Sequence, residues 1–127
     1  MLEPKIKELA QGKNFATIST LLSDGSPATH VMWIDADDDH ILINTETGRA
    51  KYRSVSRDPR VSVVIWDDHD PYRYAEVRGE VVETVAGPEA RKHIDELSMK
   101  YHGRPYRNPI QTERVLLKIR PTRQRTY

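Results

Sequence analysis

The chain has 127 residues, enough for one hydrophobic core and too few for two comfortable domains, so residues 1–127 read as one domain. Apolar residues make up 37% and charged residues 31%, which predicts a densely charged surface and a core completed in part by a partner subunit. A formal charge of +1 gives no global pull towards nucleic acid or membrane, and the absence of cysteine excludes disulfides, thiolate catalysis and Cys-based metal sites. No N-terminal run has the pattern of a signal peptide and no segment could span a bilayer, so a soluble cytoplasmic domain is expected.

In chain order, Pro4 to Ala10 predicts a short amphipathic helix, with Pro4 in its first turn, Ile6 and Leu9 on one face and Gly12 ending it. From Phe15 the period changes to that of a strand, running to Leu21, and Ser23-Asp24-Gly25-Ser26-Pro27 is a strong turn. A second strand, Ala28 to Ile34, follows at hairpin distance. Asp35 to Asp39 reads as an acidic turn and His40 to Asn44 as a third strand.

Gly48 to Arg60 then carries four arginines and Lys51 within a nearly neutral chain. Arg49 to Ser56 predicts a short helix, stopped by Asp58-Pro59. Arg49, Lys51 and Arg53 therefore fall in or near its first turn, where the helix dipole disfavours cations. Cations at that end make sense when an anion occupies it, because backbone N–H groups, dipole and side-chain charge then converge on a phosphate or carboxylate. A solvated basic surface helix is the plainer reading of the charge pattern alone.

Arg60 to Trp66 predicts a fourth strand, apolar enough to be buried on both faces. After a loop from Asp67 to Pro71, Tyr72 to Val85 forms one long strand or two bent at Gly79, where a bulge is expected. Pro88 to Tyr101 is the best helix signal, with Ala90, Ile94, Leu97 and Tyr101 in a stripe and Gly103 stopping it. The loop from Arg104 to Thr112 reads as exposed, and Arg114 to Ile119 as a sixth strand. This inventory predicts a mainly β fold with short helices, a six-stranded antiparallel barrel.

Other constellations carry less. Asp35, Asp37, Asp39 and Glu46 match part of a calcium-loop spacing, but His40 stands where that loop needs glycine, so the segment reads as a hairpin turn and no metal site is expected. The histidines are scattered, and His93 and His102 are expected to face water. Trp33 and Trp66 read as core residues. Ser19 and Ser62 lack the context of a serine nucleophile.

Four segments, in this order, resemble the FMN-binding split-barrel group that includes the pyridoxamine 5′-phosphate oxidases. They are Phe15-Ala-Thr-Ile-Ser-Thr with Asp24-Gly25-Ser-Pro27 and His30-Val-Met-Trp33; Ile43-Asn-Thr45 leading into Gly48-Arg-Ala-Lys51-Tyr-Arg53; Arg57-Asp-Pro-Arg60; and Tyr72-Arg-Tyr74 with Val77-Arg-Gly79. Within the group the chain looks most like the flavin/deazaflavin oxidoreductase branch that uses coenzyme F420. The oxidases place Ser-Arg-Lys after the cofactor strand, whereas Gly48-Arg49-Ala50-Lys51 separates the two cations by one residue, as the F420 branch tends to do. The substrate-phosphate section of the oxidases has no clear equivalent before Tyr127, so the resemblance does not imply pyridoxamine 5′-phosphate oxidation.

The resemblance implies a split β-barrel homodimer with a cofactor groove between the two chains. It implies that Arg49 and Lys51 hold the cofactor phosphate, around Ala50, with Arg53 as a supporting charge. Asn44 and Thr45 would line the cofactor, His30, Val31 and Met32 would run beside its ring, and Tyr72 and Tyr74 would reach cofactor or substrate. The implied activity is hydride transfer between F420 and a small organic acceptor, with no catalytic residue identified. An FMN-dependent enzyme of the same fold and a non-catalytic cofactor carrier are the alternatives. Nucleic-acid binding by the Arg-rich helix is opposed by the acidic patches at Asp35 to Asp39 and Asp67 to Asp70.

Overall fold

Pro4 lacks an N–H that a first helical turn would leave unpaired, and it opens helix α1 (Pro4–Gln11), which closes with the Gly12 N–H on the Glu8 carbonyl. Strand β1 (Phe15–Leu21) buries every second residue, Ala16, Ile18 and Thr20. The turn that follows needs Gly25 at φ 86°, and Asp24 Oδ1 accepts the Ser26 N–H at 2.9 Å. Strand β2 (Pro27–Trp33) returns antiparallel to β1, pairing Ile18 with His30. The computed structural model describes residues 1–127.

The acidic segment differs from expectation. Asp35 and Ala36 pair with Leu42 and Ile41, so they form a two-residue strand, β3 (Asp35–Ala36), and the sheet has seven strands rather than six. Strand β4 (Ile41–Glu46) leads to helix α2 (Ala50–Arg57), with Arg49 at the N-cap. Strand β5 (Arg60–Asp67) is followed by one long strand, β6 (Asp70–Ala86), whose register shifts at Gly79 as the bulge signal requires. A Cβ on Gly79 would lie 2.2 Å from the Arg120 carbonyl oxygen, so only glycine permits this approach. After helix α3 (Pro88–His102), strand β7 (Arg114–Thr126) runs seven residues beyond its apolar part. Its charged half has no hydrophobic pattern to read; it exists because β6 continues alongside, pairing Ala75 with Thr126.

The antiparallel sheet runs β2-β1-β5-β6-β7-β4-β3. Its two edge strands are consecutive in the chain, with only Ile34 between Trp33 and Asp35. A sheet whose opposite edges are joined by one residue must curl until they meet, which makes the barrel. Its interior holds Ile18, Ile43, Val63, Ile65, Val77, Leu117 and Ile119, continuous with Ile6 and Leu9 of α1 and Val55 of α2. Helix α3 forms a second layer over β4 and β7, where Ala90 packs with Leu42 and Leu116. Its distal half packs Ile94, Leu97 and Tyr101 against Phe15, Trp33 and Tyr106. Strand β4 is therefore covered on both faces, and the side chains facing α3 are the ones that build the site. No helix is long and apolar enough to cross a membrane.

Candidate functional site

Alternation along β4 sends Ile43 and Thr45 into the barrel and Asn44 and Glu46 outwards, beneath α3 and the loop before β7. Glu46 stands opposite Arg114 across the β4–β7 ladder. Both are buried, with side chains 5% and 6% exposed, and Arg114 Nη1 lies 3.5 Å from Glu46 Oε2. Arg114 Nε also donates to Asn44 Oδ1 at 2.9 Å, and its guanidinium lies over the Tyr106 ring at 5.3 Å. Glu46 Oε1 accepts the backbone N–H groups of Gln111 and Thr112 at 3.0 and 2.8 Å. These Thr112 and Gln111 bonds and the Arg114 charge outweigh desolvation and hold the Glu46 carboxyl below the ordinary range.

Three cations, Arg49, Lys51 and Arg114, line one cleft, and two of them pair with this carboxylate. Arg49 Nη2 is 3.6 Å from Glu46 Oε2, and Lys51, on the first turn of α2, lines the same cleft as Arg49 and Arg114. Lys51 is buried yet has no ion-pair partner; desolvation first, then Arg49 and Arg114, push its pKa down. An ammonium in that position gains most from an added anion. The cleft, about 270 Å³, has an apolar side made by Val31, Trp33, Ile94, Leu97 and Tyr106. Trp33 stacks on Tyr101 at 4.9 Å and meets Tyr106 edge-on at 6.3 Å, which fixes this wall. Tyr106 is held in turn by α3, since its N–H donates to Asp95 Oδ1 at 3.0 Å. A compact group of cations next to a flat apolar wall has the chemistry to hold a phosphate joined to a planar ring.

Five of the residues singled out from the sequence line this cleft: Val31, Met32, Asn44, Arg49 and Lys51. Ala50 and Arg53 line a separate cleft across α2, with Leu22, Asp24 and Arg57, and Arg53 Nη1 donates to the Gly48 carbonyl at 2.5 Å. Thr45 points into the barrel, where its hydroxyl has no hydrogen-bond partner. His30 is exposed on β2. Tyr72 is 86% exposed, and Tyr74 stacks on Tyr127 at 4.5 Å, so neither joins the cleft within one chain.

Sequence reasoning missed Arg114, Tyr106 and His93. His93 does not face water: it is buried, bonded to Asp35 and Asn44. The signal was present, because His93 lies three residues after Ala90 and four before Leu97, on the buried stripe of α3. Arg114 opens an apolar strand covered on both faces, a place where a charge needs partners. Tyr106 carried no sequence signal within its loop. No group of three or more His, Cys, Asp or Glu side chains is arranged to hold a metal ion.

The sequence profile described as pyridoxamine 5′-phosphate oxidase matches residues 2–127, nearly the whole chain. The chain belongs to this family. Among solved structures, this family member is similar to an F420 reductase at 29% identity, with TM-score 0.84 and 98% of each chain covered. It is similar to a conserved hypothetical protein from Mycobacterium tuberculosis at 27% identity, TM-score 0.79, covering 100% of this chain and 84% of that one. General stress protein 26 from Bacillus anthracis, at 23% identity and TM-score 0.68 over 96% and 90% of the two chains, shares the fold. No match was found among curated proteins.

Proposed function

We propose that this family member is an F420-dependent oxidoreductase that transfers a hydride between coenzyme F420 and a small organic acceptor. The observation that carries the reading is the convergence of Arg49, Lys51 and Arg114 on one cleft, with only Glu46 to offset them, beside the Trp33–Tyr106 wall. The F420 reductase among its structural neighbours supports the choice of deazaflavin, as does the Gly48-Arg49-Ala50-Lys51 spacing. The bound cofactor would supply the hydride chemistry. Arg49, Lys51 and Arg114 would hold its phosphate, Arg by paired N–H groups and Lys as a point charge. Val31, Met32, Trp33 and Tyr106 would orient its ring and exclude water. No carboxylate or imidazole lines the cleft, and the role assigned to the chain's residues there is binding and orientation.

The same reading takes the chain as a homodimer whose groove is completed by the second copy, from which Tyr72 and Tyr74 would reach the cofactor. Val31 on the edge strand β2 is 67% exposed and Tyr72 86%, apolar surface that a second copy would cover. FMN carries the same combination of phosphate and planar ring and is the alternative cofactor. Fluorescence titration against F420 and FMN separates the two. Binding of F420 below about 100 μM, equivalent to roughly −5.5 kcal/mol, is expected, and failure to bind either cofactor at that level would sink the oxidoreductase reading. Turnover of reduced F420 with a panel of acceptors then distinguishes an enzyme from a carrier.

A further inference from the structure

A chain of half-buried polar contacts runs from β3 to the cleft, and its hydrogen-bond polarity can be assigned from its ends. Arg114 can only donate and the Ala90 carbonyl can only accept. Asn44 therefore turns its Oδ1 to Arg114 Nε at 2.9 Å and one Nδ2 hydrogen to Ala90 at 2.8 Å. Its second Nδ2 hydrogen points at His93 Nδ1, 3.1 Å away, which must present a lone pair. The imidazole proton then sits on Nε2 and is donated to Asp35 Oδ2 at 3.0 Å. Each of these N–H groups has one acceptor, and the His93 side chain is 8% exposed.

We propose that His93 is a positioning residue of the anion cleft: while neutral it holds the Asn44 amide in the orientation that aims Arg114, and protonation undoes this. A proton on Nδ1 would set N–H against N–H. The amide must then leave His93 or rotate, and rotation turns its NH2 towards Arg114 Nε. The guanidinium loses its amide acceptor and keeps the Glu46 contact at 3.5 Å. Asp35 lies on the Nε2 side of the ring and Asn44 on the Nδ1 side. The remaining charges around the outer side of His93 are Asp37 beside β3, Glu89, Lys92 and Glu96 on α3, and Lys118 on β7. The inference rests on the cleft being an anion site and is independent of which cofactor fills it.

The sign of the pH effect separates positioning from simple electrostatics. A protonated His93 adds positive charge near the cleft and by charge alone would strengthen anion binding; misaligned Arg114 weakens it. Inorganic sulfate is the probe, because it stays a dianion across the range, read by 15N NMR of the Arg114 Nε–H and of the imidazole nitrogens. Wild-type affinity is measured at neutral pH and at the acidic pH where the imidazole nitrogens report protonation, and is expected to fall about tenfold between the two, with the Nε2–H tautomer present at the upper one. His93→Gln offers an acceptor to Asn44 and a donor to Asp35 without titrating, so it should keep the neutral-pH affinity at both values. His93→Leu should bind weakly at both. Wild-type affinity that is flat or rises on acidification, an unchanged pH slope in His93→Gln, or no sulfate binding by the wild type overturns the proposal. Sulfate binding with the expected slope but no F420 binding sinks the cofactor reading alone.

Discussion

Lys100 Nζ donates to the Ile34 carbonyl at 2.6 Å, across the single residue that joins the two edges of the sheet. The neighbouring Tyr101 hydroxyl accepts the Ile34 N–H at 3.2 Å and donates to the Asn14 carbonyl. Two successive residues of α3 thus satisfy both backbone groups at the seam of the barrel. Lys100 also donates to Ala10 at 3.1 Å, tying the end of α1 to the same point.

Burial holds the Lys100 pKa down to about 8 from 10.5, with Asp35 opposing the shift. The folded protein releases this proton at a lower pH than the unfolded chain does. Between those two values the unfolded state binds more protons, so this group makes stability rise with pH there and contributes no slope below about 8. Urea unfolding from about pH 7 to about pH 10 is expected to show that rise in the wild type and not in Lys100→Met. Equal slopes would contradict the assignment.

Tyr101→Phe keeps the stacking on Trp33 but removes the hydroxyl, leaving the buried Ile34 N–H without an acceptor. A loss of about 2 kcal/mol is expected, measured by chemical denaturation. A loss within error of zero would mean that water reaches the seam.

Glu46→Ala removes the counter-ion of a buried guanidinium and the acceptor for the Gln111 and Thr112 N–H groups. Breaking such a pair from one side costs about 3 kcal/mol or more. Because Thr112 and Gln111 N–H groups and Arg114 hold the Glu46 pKa below its ordinary 4.5, its contribution is complete above that value and is lost as pH falls through the lowered one. Acid unfolding of the wild type should contain this component, and the variant should lack it.

Lys51→Met retains the buried stem and removes an ammonium that has no carboxylate partner. Folding stability should be unchanged or slightly higher, while F420 affinity falls by about tenfold or more, as for loss of a charge-assisted bond. Equal affinity in a fluorescence titration would remove Lys51 from the anion site.

Gly79→Ala places a methyl group against the Arg120 carbonyl, where the obstacle is backbone rather than a mobile side chain. A destabilisation of about 3 kcal/mol is expected from the thermal midpoint and denaturant unfolding. An unperturbed midpoint would show that β6 and β7 can separate at the bulge at little cost.

Elements whose burial follows a period were legible from the chain. The alternation of Phe15 to Leu21, the stripe from Ala90 to Tyr101 and the Asp24-Gly25 turn each predict their structure locally, because side-chain direction follows backbone period. The arginine-rich segment left two readings open, an anion-binding helix end or a solvated basic helix, since cations at a helix N-terminus conflict with the dipole unless a ligand resolves it. Strand β3 and the second half of β7 carried no such period. Both exist only because a partner strand presents unpaired backbone groups beside them.

The mainly β character, the family resemblance and the placing of Arg49 and Lys51 at the start of α2 are legible in the residues alone. Which other residues complete the cleft depends on how the strands pack. Arg114 lies far along the chain from Arg49 and reaches it only because β4 and β7 are neighbours, with Glu46 opposite Arg114. His93 became part of the same network because α3 crosses β4 at Asn44. Partner choice in a buried polar chain depends on which strands lie adjacent, and no local period in the sequence records that.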